Sequence, residues 1–346
     1  MTAQLHVDLG AFGENLRVLR DRVAPAELML VVKNDAYGHG VERILPRALE
    51  EGVTWVGAFD VATGRRVRRL VGEAIRVFVW MLPDPDDVAE AIDLQLDLGV
   101  GDAQLLEDAA AAARRAGTTA RVHLKIDSGL RRNGIRPEEW EAVVRRARAL
   151  EKRGAIRVIG VWSHIAEASD ADDDDARAIF DLALTQARVA GLTPTVTHLA
   201  ASSAASARAE FRYDLVRIGA FAYGVAPAGG PSALNLGLRP IGTLTATVTA
   251  VESERVHVDA GFLHGLPTAL AGAADVGTPA GRRPLLAVEA LQSLVGSWGG
   301  AASGDTVVLY GGGVDEPTAT EWAEAIGTIG EEIVTRISPR LPRTSE

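Results

Sequence analysis

The chain has 346 residues, an apolar fraction of 47% and a formal net charge of −10. That length suits one large domain with a smaller companion and a sizeable core. The acidic balance argues against nucleic acid or an anionic membrane as partners. The absence of cysteine removes disulfides, thiolate nucleophiles and sulfur metal ligands together. The N-terminal run MTAQLHVDLGAFGENL lacks a signal-like apolar core. No apolar run approaches the length of a membrane span. A cytoplasmic protein with no resident metal is expected.

In chain order, QLHVDL reads as a first strand. Eight short β-rich runs follow: LMLVVK (28–33), WVGAF (55–59), RVFVWML (76–82), DLGV (97–100), RVHLKID (121–127), IRVIGVWSH (156–164), PTVTHLA (194–200) and LVRIGAF (215–221). Amphipathic segments such as AQLLEDAAAAARRAG lie between them. Strand–helix alternation implies a parallel sheet, and eight repeats imply a closed (β/α)8 barrel over residues 9–228. The acidic run Asp170 to Asp175 reads as a solvated loop, since the spacing of a Ca²⁺ loop is absent. Past the Pro- and Gly-rich segment 227–231, the runs TLTATVTAV, ERVHVDAG, PLLAVEALQSLV and GDTVVLYG read as a mostly antiparallel β domain over 229–346, which strand 1–8 is expected to join. TATEWAEAIG begins a helix in the tail.

The most informative segment is VVKNDAYGHG, a strand stopping at Lys33. A lysine at the tip of a buried strand loses hydration, so its neutral amine becomes accessible to an aldehyde. The plainer alternative is a strand-end salt bridge to Asp35. A barrel carries its active site at the C-terminal strand ends. There the chain places Lys33, Arg132 in KIDSGLRRNG, His164 in WSHIAE, Ser202 and Ser203 in HLAASSAA, and Arg217, Gly219 and Tyr223 in VRIGAFAYG. Guanidiniums, hydroxyls and a Gly-containing turn suit an anionic, phosphorylated ligand. Plainer readings exist for three neighbours. His198 satisfies a core hydrogen bond, Arg131 is a solvated neighbour of Arg132, and Lys125 pairs with Asp127 or with the partner of Arg132 inside the barrel.

These motifs together resemble the alanine racemase family, over nearly the whole chain. KNDAYGHG resembles the family's lysine motif, which implies Lys33 as the Schiff-base lysine of pyridoxal 5'-phosphate and Tyr37 as a phosphate ligand. HLKIDSGLRRNG implies Arg132 near the cofactor phenolate and substrate carboxylate, and Lys125 as a lysine often carbamylated. SHIA implies His164 beside the ring as a partner of Arg217. HLAASSAA implies Ser202 at the phosphate, with Ala201 replacing an asparagine. VRIGAFAYG implies Arg217 facing the pyridine nitrogen, and the Gly219 and Ala220 amides on the phosphate, with Tyr223 close by. A guanidinium keeps its proton. The ring is then a weak electron sink, which favours quick reprotonation at Cα. The resemblance also implies a homodimer and a small amino acid or amino-acid derivative as substrate.

The C-terminal half departs from the family. The tyrosine that acts as second base in a GYADGYP-like motif is matched by Phe262 in GFLHGLP. Loss of an acid–base group costs roughly two to four orders of magnitude. His264, two residues on, is a candidate substitute; His257 and Tyr310 read as structural. A Met-Asp pair is matched by Leu291-Gln292, and a phosphate-contacting tyrosine by Glu331. A carboxylate about 4 Å from a phosphate is repelled by about 4 kcal/mol at an effective dielectric of about 20, so Glu331 is expected to point elsewhere. The expected protein is therefore a pyridoxal-phosphate enzyme acting at Cα with altered chemistry or substrate. A conventional racemase using His264 and a non-catalytic cofactor-binding protein are the alternatives.

Overall fold

The computed structural model describes residues 3–73, 75–167 and 169–345. Residues 1 and 2 of the expected first strand, and residue 346 of the expected second domain, lie outside the described residues. The chain divides into two compact units, one of 19–33 and 52–219, the other of 1–18, 34–51 and 220–346.

After β1 (Gln4–Val7), which belongs to the second unit, eight strands form a parallel sheet in the first. They are β2 (Glu27–Val31), β3 (Trp55–Asp60), β4 (Arg76–Met81), β5 (Asp97–Val100), β6 (Ala120–Lys125), β7 (Ile156–Trp162), β8 (Val196–His198) and β9 (Leu215–Ile218). Their order, β8-β7-β6-β5-β4-β3-β2-β9, follows the sequence around the sheet. The seam closes through backbone bonds from Asp214 N to Thr197 O and from Arg217 N to Ala200 O, both 3.1 Å. Met29, Trp55, Phe78, Ile159, Trp162 and Leu215 fill the barrel interior. DLGV is only four residues long, yet all four are buried and each pairs with β6.

The connecting helices begin where side chains satisfy their first amides. Asp60, Asp84 and Asp102 accept from Thr63 N, from Asp86 N and Asp87 N, and from Leu105 N. Each such cap is worth about 1 kcal/mol. The acidic run corrects the sequence reading. It is the opening of the helix Asp170–Val189, with Ser169 as its cap, rather than a loop. Carboxylates in a first turn complement the positive end of the helix. Asp173 also turns inward and accepts from Glu167 N at 3.1 Å.

In the second unit, β10 (Gly242–Val251), β11 (Arg255–Val258), β12 (Asp275–Thr278), β13 (Gly281–Val288), β14 (Ser293–Gly296) and β15 (Thr306–Tyr310) are antiparallel in the order β11-β14-β13-β12-β15-β10. β10 pairs with β11 as well, which closes the ring. β1 extends the sheet antiparallel to β10, and β16 (Arg343–Ser345) lies parallel to β1. The tail forms the helices Ala319–Ala325 and Gly330–Arg336; a reciprocal capping box between Thr318 and Glu321 starts the first. Among the described residues, no helix is long and apolar enough to cross a membrane.

Candidate active site

Lys33 follows β2 and is half-buried. Lys125 ends β6, with Nζ 4.7 Å from the Trp162 ring centroid and 3.3 Å from Asn133 Oδ1. Burial, then Arg217 and Arg132, push its ammonium down to about 8. The expected pairing of Lys125 with Asp127 does not form. Asp127 Oδ1 instead accepts from the Gly129 and Arg131 amides and shapes the loop that carries the exposed Arg132. His164 follows β7. Burial pushes its imidazole down to about 2, and the charges of Arg217, Arg132, Lys125 and Lys33 act in the same direction. Four cations from the ends of three strands, β2, β6 and β9, therefore act on one neutral ring.

Arg217 lies in β9 and is only 5% exposed. Its Nη2 donates to Ser163 O and Leu199 O, both 2.8 Å away, and to His164 Nδ1 at 3.1 Å. Its Nη1 donates to His198 Nδ1 at 3.0 Å. Burial pushes the guanidinium down to about 9, so it stays protonated at neutral pH, and it makes no ion pair among the described residues. The residue before the helix Ser202–Ala207 is Ala201, so the first turn has no side-chain cap there. Ser202 Oγ accepts from Gly219 N at 3.1 Å, and Glu167 Oε1 accepts from Ala204 N at 3.0 Å.

In the other unit, the residues after Lys33 form a left-handed turn. Asn34, Asp35, Ala36 and Tyr37 have φ of 52°, 56°, 54° and 53°. Each left-handed L-residue costs roughly 1–2 kcal/mol, least for Asn and Asp. Bonds from Gly38 N to Asn34 O, Gly40 N to Asp35 O and Val41 N to Asp35 Oδ1 hold the turn. A side chain at Gly38, whose φ is 81°, would meet Val334 O at 2.6 Å. Strain of this kind gathers at functional sites.

The turn buries Tyr37 with its ring 4.8 Å from that of Tyr223. Burial and then the Glu331 carboxylate push the Tyr37 phenol above its ordinary range; the Ala220 amide, bonded to the phenol oxygen, pulls the other way. Glu331 lies in the first turn of the helix Gly330–Arg336 and is half-buried. Tyr223 is packed among Phe12, Tyr37 and His39. Phe262 sits in the 3-10 turn Phe262–His264 and is 46% exposed. Leu263 and Leu291 beside it are exposed too; Phe262 N and Leu263 N donate to Glu289 O and Ala290 O. His264 Nδ1 accepts from Gly261 N at 3.0 Å, so its ring caps the turn. His257 Nε2 lies 2.8 Å from Glu252 Oε1, and Tyr310 is buried with its hydroxyl unpartnered among the described residues.

His198 does make core hydrogen bonds, but one of them reaches Arg217. His123 and Asp97, both wholly buried, escaped the sequence reading. The available signal was a polar residue at a buried position of an otherwise apolar strand, in VHL and DLGV.

The chain matches the family models described as alanine racemase, N-terminal domain, over residues 7–227 and alanine racemase, C-terminal domain, over residues 241–345. It is 37% identical to the alanine racemase of Thermobifida fusca over 99% of this chain and 97% of that protein. It is also 37% identical to the alanine racemase of Beutenbergia cavernae, with the same coverage. Among solved structures, alanine racemase from Streptomyces coelicolor A3(2) superposes with a TM-score of 0.96 at 33% identity, covering 99% of this chain and 98% of that one. The enzyme from D-cycloserine-producing Streptomyces lavendulae gives 0.93 at 34%, covering 100% and 97%.

Proposed function

The chain belongs to the alanine racemase family and is an enzyme of it, and from that premise we propose that it binds pyridoxal 5'-phosphate through Lys33 and moves a proton at Cα of a small amino acid or amino-acid derivative. The observation that carries this reading is the set of cations around His164, in which buried Arg217 and Lys125 have no ion pair among the described residues. Burying unpaired cations costs several kcal/mol each unless an anion joins them. A phosphorylated ligand and a substrate carboxylate meet that requirement.

When bound, the cofactor supplies an aldehyde for amine capture and a ring that draws electrons from Cα. The rest belongs to the chain. Lys33 holds the aldehyde carbon and then serves as base at Cα. Arg217 meets the ring nitrogen as a donor that keeps its own proton, which limits electron withdrawal and favours return of the proton to Cα. His164 stays neutral and holds Arg217. Arg132 orients the substrate carboxylate. Ser202 and the Gly219 amide hold the phosphate, together with Tyr37 and the Ala220 amide, which lie close along the chain to Lys33 and Gly219.

The same reading holds that Phe262 leaves the family's second proton-transfer position without an acid, so Lys33 works alone on one face and the reaction or substrate differs from ordinary alanine racemisation. The competing assignment of His264 as second base is weaker, because its Nδ1 is engaged by Gly261 N. A homodimer is part of the proposal. The exposed patch of Phe262, Leu263 and Leu291 supports it, since adjoining exposed apolar side chains mark contact surfaces. Sedimentation showing only monomer at micromolar concentration would count against it.

Borohydride reduction of the cofactor-loaded protein, followed by peptide mapping, tests the central claim. The label is expected on Lys33. A label on another lysine, or none, ends the reading. Exchange of the Cα proton of L- and D-alanine in D2O then separates a one-base enzyme, which exchanges with retention, from a racemase, which interconverts both.

A further inference from the structure

A line of polar groups crosses the apolar interior of the barrel. At one end Asp97, wholly buried at the start of β5, is held by Arg76 (2.7 Å) and Arg121. His123 on β6 comes next, with Nε2 at 4.0 Å from Asp97 Oδ2. His123 Nδ1 lies 3.0 Å from His198 Nε2, and His198 Nδ1 lies 3.0 Å from Arg217 Nη1. Both rings are 0% exposed.

Proton bookkeeping along this line has one solution. A guanidinium only donates, so His198 Nδ1 is an acceptor. A neutral His198 then carries its proton on Nε2 and donates to His123 Nδ1. His123 in turn carries its proton on Nε2, which faces the Asp97 carboxylate. That Nε2 has no hydrogen-bond partner, and the carboxylate is the charge toward which it is directed. The opposite tautomer of His198 would set N–H against N–H at Arg217. Space is made for this arrangement. Gly160 of β7 pairs in register with His123, and a side chain there would lie 2.4 Å from His123 Nδ1. Trp162 stacks on His198 with 7° between the planes, so the ring cannot tilt to find other partners.

We infer that His123, backed by Asp97, is a positioning residue that holds His198 in its Nε2–H tautomer and so aims the Arg217 guanidinium. His123 meets no ligand and acts through His198 alone. The consequence for catalysis rests on the proposed role of Arg217; the tautomer assignment does not.

The test uses the full chain labelled with 15N-histidine, read by long-range 1H–15N correlation at neutral pH, with a His198→Asn variant to assign the His198 signals. Wild-type His198 and His123 are expected as neutral Nε2–H rings. In His123→Phe, the His198 nitrogens are expected to shift toward a tautomer mixture. With cofactor and substrate, kcat is expected to fall about 10-fold with KM changed less than about 2-fold, and the visible absorption of the bound cofactor to shift. His123→Gln, whose amide oxygen can still accept, is expected to restore the His198 tautomer and most of kcat. A His198 that remains wholly Nε2–H in His123→Phe overturns the inference. If that variant does not fold, a wild-type His198 found as Nδ1–H or charged overturns it, and wild-type Nε2–H rings with the same state in His123→Gln support it. Failure of cofactor binding with the tautomer shift intact removes the proposed function and leaves the positioning of Arg217 standing.

Discussion

Arg217 Nη2 lies 3.1 Å from His164 Nδ1, and the guanidinium can only donate, so that nitrogen of His164 must keep its lone pair. The ring is therefore neutral, and burial, with the cations around it, pushes it down to about 2. The same state recurs elsewhere. Burial pushes His39 and His123 down to about 4, and His198 well below its ordinary value.

These four rings set an acid limit to stability. A histidine whose native pKa is depressed binds no proton in the folded chain, while the unfolded chain takes one up below pH of about 6.5. Stability is then full above that pH and is lost as pH falls toward each native pKa. Each ring removes about 1.4 kcal/mol per pH unit in that window, down to about pH 4 for His39 and His123. Calorimetry from pH 7 to 5 should show a steep fall in Tm. His39→Gln should make the slope shallower by roughly a quarter, one ring in four. An unchanged slope would show that His39 is not buried neutral.

Lys125 should react with carbon dioxide. Its ammonium is pushed down to about 8, so the free amine is present near neutral pH and grows above it. The amine adds to CO2 and releases one proton, leaving a carbamate among Arg132 and Arg217. Protein equilibrated with 13C-bicarbonate should give one added carbonyl resonance that strengthens as pH rises through 8 and vanishes in Lys125→Ala. No Lys125-dependent signal above that pH would exclude the modification.

Replacing Phe262 by tyrosine should raise racemisation of alanine about 10-fold or more, if the missing phenol is the main defect. Chiral chromatography of products from each enantiomer reads this directly. Because Phe262 is exposed, the variant should fold as the parent does. No gain would locate the barrier in the surroundings, Leu291, Gln292 and Glu331, and point to a substrate other than alanine.

Gly38→Ala should destabilise the chain by roughly 2 kcal/mol or more, since it combines a positive φ with a clash on a carbonyl. The new methyl would sit 2.6 Å from Val334 O. Gly72→Ala is the control: its φ is also positive, at 57°, but among the described residues no heavy atom beyond its chain neighbours lies within 4 Å of the added carbon. Thermal melts should show the larger loss at Gly38. Equal losses would mean that the neighbouring segment moves aside at little cost.

Local pattern sufficed for the strands, their alternation with helices and the change to antiparallel β structure, because burial on a pleated or helical face leaves a period in the sequence. It also singled out Lys33 and Arg217, each a charged residue that closes or interrupts an apolar run. Local pattern misread the acidic run, because like charges describe a solvated loop and a helix N-terminus equally well. Three matters belonged to the tertiary structure alone. The close approach of Val334 O to Gly38, next to the left-handed run Asn34–Tyr37, depends on how the tail packs in its own unit. The bond between the Ala220 amide and the Tyr37 phenol depends on packing within their own unit. The contacts of His123 with His198, and of His198 with Arg217, depend on closure of the barrel. Each joins residues distant in the chain, and a periodicity carried by neighbouring residues holds no record of which distant partner a side chain will meet.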